Sequence, residues 1–322
     1  MIPDPHSKSL PERDMVLIAG GTTRMGSDRF YPDEGPVHER EIAPFWIDRY
    51  EVTNTEYARF VDATGYVTVA ERALDPHDFP GANPADLVPG AMVFTPTAGP
   101  VDLGDWRNWW RWQPGAYWRA PFGPGSSASD RPEHPAVHIA YEDAVAYASW
   151  AGARLPTEAE HEYAARGGRE GAEFVWGDEA YPGGVPQTNS WIGRFPYDNR
   201  GDGGTAPVGS YPANGYGLFD MIGNVWEWTS DFCAPRHILH DRIGVDADGR
   251  TNLLAATDAM SGSGRSDAAG SPTPPRRVLK GGSHLCSPDY CLRFRPAARS
   301  PQTEDTGMSH IGFRCARDAS TA

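Results

Sequence analysis

Four cysteines in 322 residues, only two of them close in sequence, argue against tetrahedral zinc, which takes four ligands, usually as paired Cys or His clusters. Cys286 and Cys291 lie five positions apart, while Cys233 and Cys315 stand alone. The opening run Met1-Ile-Pro-Asp-Pro-His-Ser-Lys8 lacks the apolar stretch of a signal peptide, and no window reaches the ~18 apolar residues of a membrane span. The chain is therefore expected to be cytoplasmic, with no membrane partner, in a compartment where persistent structural disulfides are uncommon. There is no Lys/Arg-rich block, and 29 basic against 43 acidic residues leave a net charge of −14. That balance argues against nucleic acid, whose phosphate backbone demands a basic face. No internal repeat of 20 to 50 residues is visible, so neither a solenoid nor a propeller is supported.

What the chain has in plenty is glycine, proline and tryptophan, with 36, 30 and 11 copies. Turns and irregular segments should dominate, with large aromatics supplying much of the buried area. The length suits one large domain and is well past the size at which a core is hard to build. Residues 1–13 read as a loose tail, residues 14–318 as one domain and 319–322 as a second tail. Met15 to Ser27 reads as a strand, a glycine turn and a second short strand. Thr53-Asn-Thr-Glu56 is a capping box ahead of a helix that should stop at Gly65. A second helix fits Glu142 to Trp150, ending at Gly152, and a third follows the capping box Thr157-Glu-Ala-Glu160 and closes at Gly167-Gly168. The Ser/Gly/Ala/Asp-rich stretch 241–275 reads as a flexible surface insertion.

Two segments point to chemistry. In Lys280-Gly-Gly-Ser283-His-Leu-Cys286-Ser-Pro-Asp-Tyr290-Cys291-Leu-Arg-Phe-Arg295, the paired thiols admit three readings: a disulfide, a clip for a soft ion such as Cu(I), or a redox-active nucleophile. Arg293, Arg295 and Arg299 are placed to stabilise a thiolate. Between Asn214 and Trp228, glycines, an acid and side-chain amides alternate through a segment too glycine-rich for a helix. Such a loop can offer the carboxylate, amide and main-chain oxygens that Ca²⁺ takes, or it can be a turn beside a buried tryptophan pair.

Several runs together resemble the formylglycine-generating enzymes, the sulfatase-modifying factors: Gly20-Gly-Thr-Thr-Arg-Met-Gly-Ser27, Val52-Thr-Asn-Thr-Glu-Tyr57, His134-Pro-Ala-Val-His138, Arg154-Leu-Pro-Thr-Glu-Ala-Glu160, Gly223-Asn-Val-Trp-Glu-Trp228, Lys280-Gly-Gly-Ser283 and Gly312-Phe-Arg-Cys315. Most are shared with a wider superfamily, and the discriminating piece is Ser283 to Arg299. The resemblance implies an α+β, modified C-type-lectin-like fold with little regular secondary structure and long ordered loops. It implies an oxidase that uses O₂ and Cu(I) to convert the cysteine of a Cys-x-Pro-x-Arg segment, in an unfolded or nascent sulfatase, into Cα-formylglycine. Carried onto this chain, Cys286 and Cys291 hold copper, Ser283 supplies a hydroxyl, Tyr290 and Trp226 line the site, and His310 is a further polar contact. Asp220, Gly223, Val225 and Glu227 would bind one Ca²⁺, and Asn189, Ser190 and an acid at Asp198 or Asp202 a second. The chain is expected to work as a monomer.

The chain departs from the family at His161, where a tryptophan is typical, and at Ala148 and Ala165, where secreted relatives carry cysteines. Cys315 is thereby left unpartnered. Two alternatives remain within the superfamily. An iron sulfoxide synthase would use His-x₃-His-x-Glu, but here Ala140 follows His134 and His138. A non-catalytic lectin-like module would need neither cysteine nor Ser283.

Overall fold

The computed structural model describes residues 13–237 and 275–319, apart from 79, 80, 82, 84 and 86. The insertion expected at 241–275 therefore lies almost wholly outside the described residues. Capping chemistry sets the helices. Helix α1, Asn54–Thr64, starts where Thr53 Oγ1 accepts from the Glu56 amide and the Glu56 carboxylate accepts from the Thr53 amide. It ends at Gly65 in the left-handed conformation, as the sequence predicts. Helix α2, Tyr141–Trp150, begins one residue earlier than predicted, because Asp143 caps the Ala140 amide at 2.9 Å with only alanine at the N-cap. Helix α3, Glu158–Arg166, has the reciprocal Thr157–Glu160 box and a left-handed Gly167.

The strands are short and fall into separate sheets. Strands β1 (Met15–Ile18) and β2 (Gly21–Met25) are neighbours in sequence but part company at Gly20. Its φ is +73°, and a Cβ there would sit 2.2 Å from the Ile42 carbonyl oxygen. Strand β2 pairs with β3 (His38–Ile42), whereas β1 joins an antiparallel sheet with β4 (Phe45–Asp48) and the last strand of the chain. Strands β5 (Gly90–Phe94) and β6 (Trp110–Pro114) form a ladder of their own, as do β7 (Gly193–Arg194) and β8 (Asp198–Asn199). The central four-stranded sheet uses β9 (Trp226–Phe232), β10 (Arg276–Lys280), β11 (Arg299–Thr303) and β12 (Ile311–Gly312) in the order β11-β10-β9-β12. Strand β13 (Ala316–Asp318) completes the β1-β4-β13 sheet. The result is α+β with long ordered loops.

Two findings differ from the sequence reading. The irregular run through Trp228 gives way at Trp226 to strand β9, whose first four residues are buried on both faces. Arg13, assigned to the tail, is instead anchored, with Nε on Asp48 Oδ1 at 2.9 Å and Nη1 on the Tyr147 hydroxyl at 3.0 Å.

The main core joins Tyr57 and Phe60 of α1, Tyr147 of α2, Trp118, Trp228 and Phe313, and it includes Cys286. No described helix is long and apolar enough to cross a membrane. Helix α3 packs on β2, β3, β9 and β10 and carries the acids that meet Lys280, the last residue of β10. Lys280 is fully buried, with Nζ 2.9 Å from Glu162 Oε2. Removing one partner of a buried ion pair strands the other in low dielectric, so Lys280→Met is expected to cost about 3–5 kcal/mol in urea unfolding. A loss within about 0.5 kcal/mol, the range of a surface substitution, would contradict this placement.

Candidate active site

Beyond Lys280 the chain must turn sharply to reach the cysteines. Gly282 sits at φ +77°, where a Cβ would come 2.7 Å from the Arg293 carbonyl oxygen, so the two arms of the cysteine loop touch here. Ser283 then builds a tight turn: the Cys286 amide donates to its carbonyl at 2.9 Å, and the Leu285 amide donates to its Oγ at 3.2 Å. Its own amide points at Cys286 Sγ, 3.4 Å away. The Ser283 side chain is buried, and its hydroxyl proton has no acceptor among the described residues.

Cys286 and Cys291 are free thiols with their sulfurs 3.6 Å apart, in contact but unbonded. A turn in which the Cys291 amide donates to the Ser287 carbonyl at 2.8 Å brings the second cysteine back over the first. Cys286 is 2% exposed and belongs to the main core, whereas Cys291 is half-buried. Their chemistry differs accordingly. The hydrogen bond to Cys291, burial and the Cys291 charge push the Cys286 thiol up. That same hydrogen bond, helped by Arg293 and Arg295 against burial, brings the Cys291 thiol down. Cys291, half-buried beside Arg293 and Arg295, is thus the thiol that ionises more readily. Two facing sulfurs, one of them reachable from outside, fit a soft cation of low coordination number.

The aromatic surround is assembled from distant segments. Tyr290 is exposed on one side and stacks on Phe195 at 4.2 Å, with Trp109 edge-on at 5.6 Å. Its hydroxyl is pushed up to about 12 by burial and the Cys291 charge. Trp226 is buried in the same core cluster as Cys286, and its amide donates to the His310 carbonyl at 2.8 Å. The His310 ring lies 4.8 Å from Trp110, and its Nδ1 has no partner. Burial, then His284 and His138, hold this imidazole neutral. Sequence reasoning missed the segment at Tyr31, Asp33 and Glu34, which packs onto Leu292, Arg293 and Arg295 from the far end of the chain. The unusually arginine-rich run after Cys291 was the only signal that acids would be needed there.

The two calcium sets fare differently. Asp220 and Glu227 are buried, and Glu51, which the sequence did not flag, joins them by accepting from Asn224 Nδ2 at 2.5 Å and from the Val225 amide at 3.3 Å. Burial, then Asp220 and Glu227, push the Glu51 carboxyl well up. Burial also pushes Asp220 up to about 6. Glu227 gives one oxygen to Arg314 Nη2 at 2.8 Å and the other to Arg314 Nε at 2.7 Å and His161 Nε2 at 3.2 Å. Against burial, the Arg314 guanidinium and the hydrogen bond from His161 hold it at about 2. A cation here would share Glu227 with the guanidinium. Gly223 and Val225 flank Asn224, which is itself left-handed at φ 51°.

In the second set, the loop that carries Asp202 lies against Asn189 and Ser190: Asn189 Nδ2 donates to the Gly204 carbonyl at 2.9 Å, and a Cβ on Gly201 would sit 3.4 Å from the Ser190 carbonyl oxygen. Asn189 and Ser190 are buried, with the Asn189 amide committed to Gly204 and Asn224, while Asp202 is exposed and accepts from the Tyr211 hydroxyl at 3.0 Å. Asp198 pairs with Arg194 across the β7-β8 turn. Among the described residues, no three His, Cys, Asp or Glu side chains are grouped so as to hold a metal ion. His134 Nδ1 meets Thr205 Oγ1 at 3.0 Å, and His138 Nε2 donates to the Pro121 carbonyl at 2.7 Å.

The family profile described as sulfatase-modifying factor enzyme 1-like domain matches residues 2–319. The chain is 55% identical over 308 residues to the formylglycine-generating enzyme of Mycobacterium tuberculosis, covering 95% of this chain and 98% of that protein. It is 46% identical to the formylglycine-generating enzyme of Thermomonospora curvata, covering 95% and 94%. Among solved structures it resembles PvdO from Pseudomonas aeruginosa, with a TM-score of 0.60 at 25% identity over 95% of this chain and 94% of that one.

The unequal thiols are open to a direct check. With iodoacetamide near neutral pH, peptide mapping is expected to find Cys291 alkylated at least about tenfold faster than Cys286, because only the thiolate reacts. Equal rates, or a faster Cys286, would contradict the assignment.

Proposed function

The chain belongs to the sulfatase-modifying factor enzyme 1-like family, and from that premise we propose that it oxidises the cysteine of a Cys-x-Pro-x-Arg segment in an unfolded sulfatase to Cα-formylglycine, with O₂ as oxidant. The observation that carries the reading is the pair of facing thiols, Cys286 buried and Cys291 half-buried, 3.6 Å apart. These two sulfurs would hold Cu(I), which when bound supplies a centre for one-electron chemistry with O₂.

The chain's own groups do the rest. Cys291, reachable from outside, faces the incoming client. Ser283 has a hydroxyl proton free to donate to an oxygen or sulfur at the reacting centre, and the exposed face of Tyr290 borders the approach. Trp226 and the neutral His310 keep the floor of the site apolar, since neither carries charge. At the client, one hydrogen leaves Cβ and one leaves sulfur, and with their two electrons they reduce O₂ to hydrogen peroxide, or to water where an added thiol supplies two more electrons; the thioaldehyde left behind is converted by water to the aldehyde and hydrogen sulfide. A folded sulfatase buries its cysteine segment, so an unfolded or nascent chain is the substrate this site fits. Both thiols work reduced, a condition that a reducing compartment such as the cytoplasm meets, and we take the protein to act there as a monomer.

We also assign one calcium ion to Asp220, Gly223, Val225 and Glu227, with Glu51 beside them. Asp220 and Glu227 are two buried carboxylates that, with the Gly223 and Val225 carbonyls, would offer the all-oxygen ligand set a hard cation takes.

The test is mass spectrometry of a Cys-x-Pro-x-Arg peptide after incubation with Cu(I)-loaded protein in air. Wild type and Cys233→Ser are expected to convert it, and Cys286→Ser and Cys291→Ser to fall below about 1% of wild type, as for loss of a residue that acts as part of a unit. Wild-type turnover by Cys291→Ser would sink the copper assignment, and no conversion by any form would favour a non-catalytic module. Calcium has its own readout. Chelation should lower the melting temperature, removing about 2.7 kcal/mol when free metal had stood at a hundred times its dissociation constant. An unchanged melting curve, with no calcium by elemental analysis, would contradict it.

A further inference from the structure

Cys291 lies in a loop with no sheet of its own. Its amide is held by the Ser287 carbonyl, and its carbonyl accepts from the amides of Ser287 at 3.2 Å and Arg293 at 2.8 Å. What fixes the chain beyond it comes from residues 30–34, between β2 and β3. The Tyr31 hydroxyl accepts from the Leu292 amide at 3.1 Å. The Leu292 carbonyl accepts from Arg295 Nε at 2.7 Å, and Arg295 is itself held by both carboxylate oxygens of Glu34, at 2.9 and 2.5 Å. Both backbone groups of the residue after Cys291 are thus bonded into this grip. The Arg293 guanidinium lies 4.0 Å from the centre of the Tyr31 ring and donates to Asp33 Oδ2 at 2.9 Å.

The Glu34–Arg295 pair is buried and has to form for the segment to pack. Tyr31 is different. It is half-buried, its ring could pack without its hydroxyl, and among the described residues that hydroxyl has one hydrogen-bond partner, the Leu292 amide. We infer that Tyr31 is a positioning residue for the thiol pair: by holding the Leu292 amide it keeps Cys291 Sγ facing Cys286 Sγ. The inference rests on reading that pair as the reactive centre, but not on which metal or client it serves.

The test equilibrates the full chain with reduced and oxidised glutathione and quantifies the Cys286–Cys291 disulfide by alkylation and mass spectrometry. The effective concentration of one thiol at the other reports how well the two sulfurs are held. Tyr31→Phe keeps the ring beneath Arg293 and removes only the acceptor. It is expected to lower the effective concentration about fivefold, the size of one hydrogen bond. Asp33→Asn, which weakens the grip on Arg293 without changing shape, should shift it in the same direction by less. An unchanged equilibrium in Tyr31→Phe, whatever its melting temperature, would overturn the inference, as would a wild-type protein that forms no Cys286–Cys291 disulfide at any glutathione ratio. Should Tyr31→Phe not fold, an unchanged equilibrium in Asp33→Asn would overturn it instead. Copper and client peptide are absent from this measurement, so a wild type that fails to convert peptide leaves the inference standing, and its failure leaves peptide conversion untouched.

Discussion

The ion pair between Lys280 and Glu162 is the contact on which the geometry of the cysteine loop depends. Lys280 and Arg299 face each other in register across β10 and β11, so two cations close the neck from which residues 281–298 emerge. Such a pair would repel in a dry interior. Helix α3 supplies the answer one turn apart, with Glu162 on Lys280 and Glu158 holding Arg299 Nη2 at 2.9 Å. Glu162 also accepts from the Gly26 amide and from Arg166, each at 2.7 Å, which ties the β2-β3 connection to the same point. Against burial, these donors hold its carboxyl down at about 2, so it stays charged where charge is needed. One helix thereby fixes both ends of the loop that carries the chemistry.

Above that neck, the loop presents two thiols to two environments. Cys286 is built into the aromatic core, where burial disfavours its thiolate, and Cys291 stands at the edge beside Arg293 and Arg295. A matched pair of exposed thiols would lose this division of roles. The acids that balance the arginines, Asp33 and Glu34, come from the connection between β2 and β3, so the site is stitched from the two ends of the chain. This long-range closure suits a fold with little regular structure, because no single element could carry all the parts.

Local signals were legible in the sequence. Thr53, Glu56 and Gly65, and Thr157, Glu160 and Gly167, state the starts and stops of α1 and α3 in their own side chains. The spacing of Cys286 and Cys291 announced reactivity, and the resemblance carried by Lys280 to Ser283 and Gly223 to Trp228 placed the fold. What was not legible was pairing across long separations. Nothing near Glu34 or Tyr31 in sequence points to Arg295 or Leu292, and nothing at Glu51 announces Asn224. His161 stands out in the sequence only as a departure from the family, yet it contacts Glu227, because a helix position gives no hint of which strand residue lies beneath it. Strand β9 was hidden by the glycines before it, since a left-handed turn at Gly223 and Asn224 delivers the chain into the sheet without a gradual change in composition.

The central claim is that O₂ oxidises the client cysteine at its β-carbon in the site built around this thiol pair. The most direct measurement uses a Cys-x-Pro-x-Arg peptide whose cysteine carries two deuterium atoms on Cβ. The account predicts an aldehyde product that retains one deuterium, with one hydrogen sulfide released per aldehyde formed. Recovery of a modified peptide that still carries both deuterium atoms, with its sulfur oxidised or retained, would contradict it.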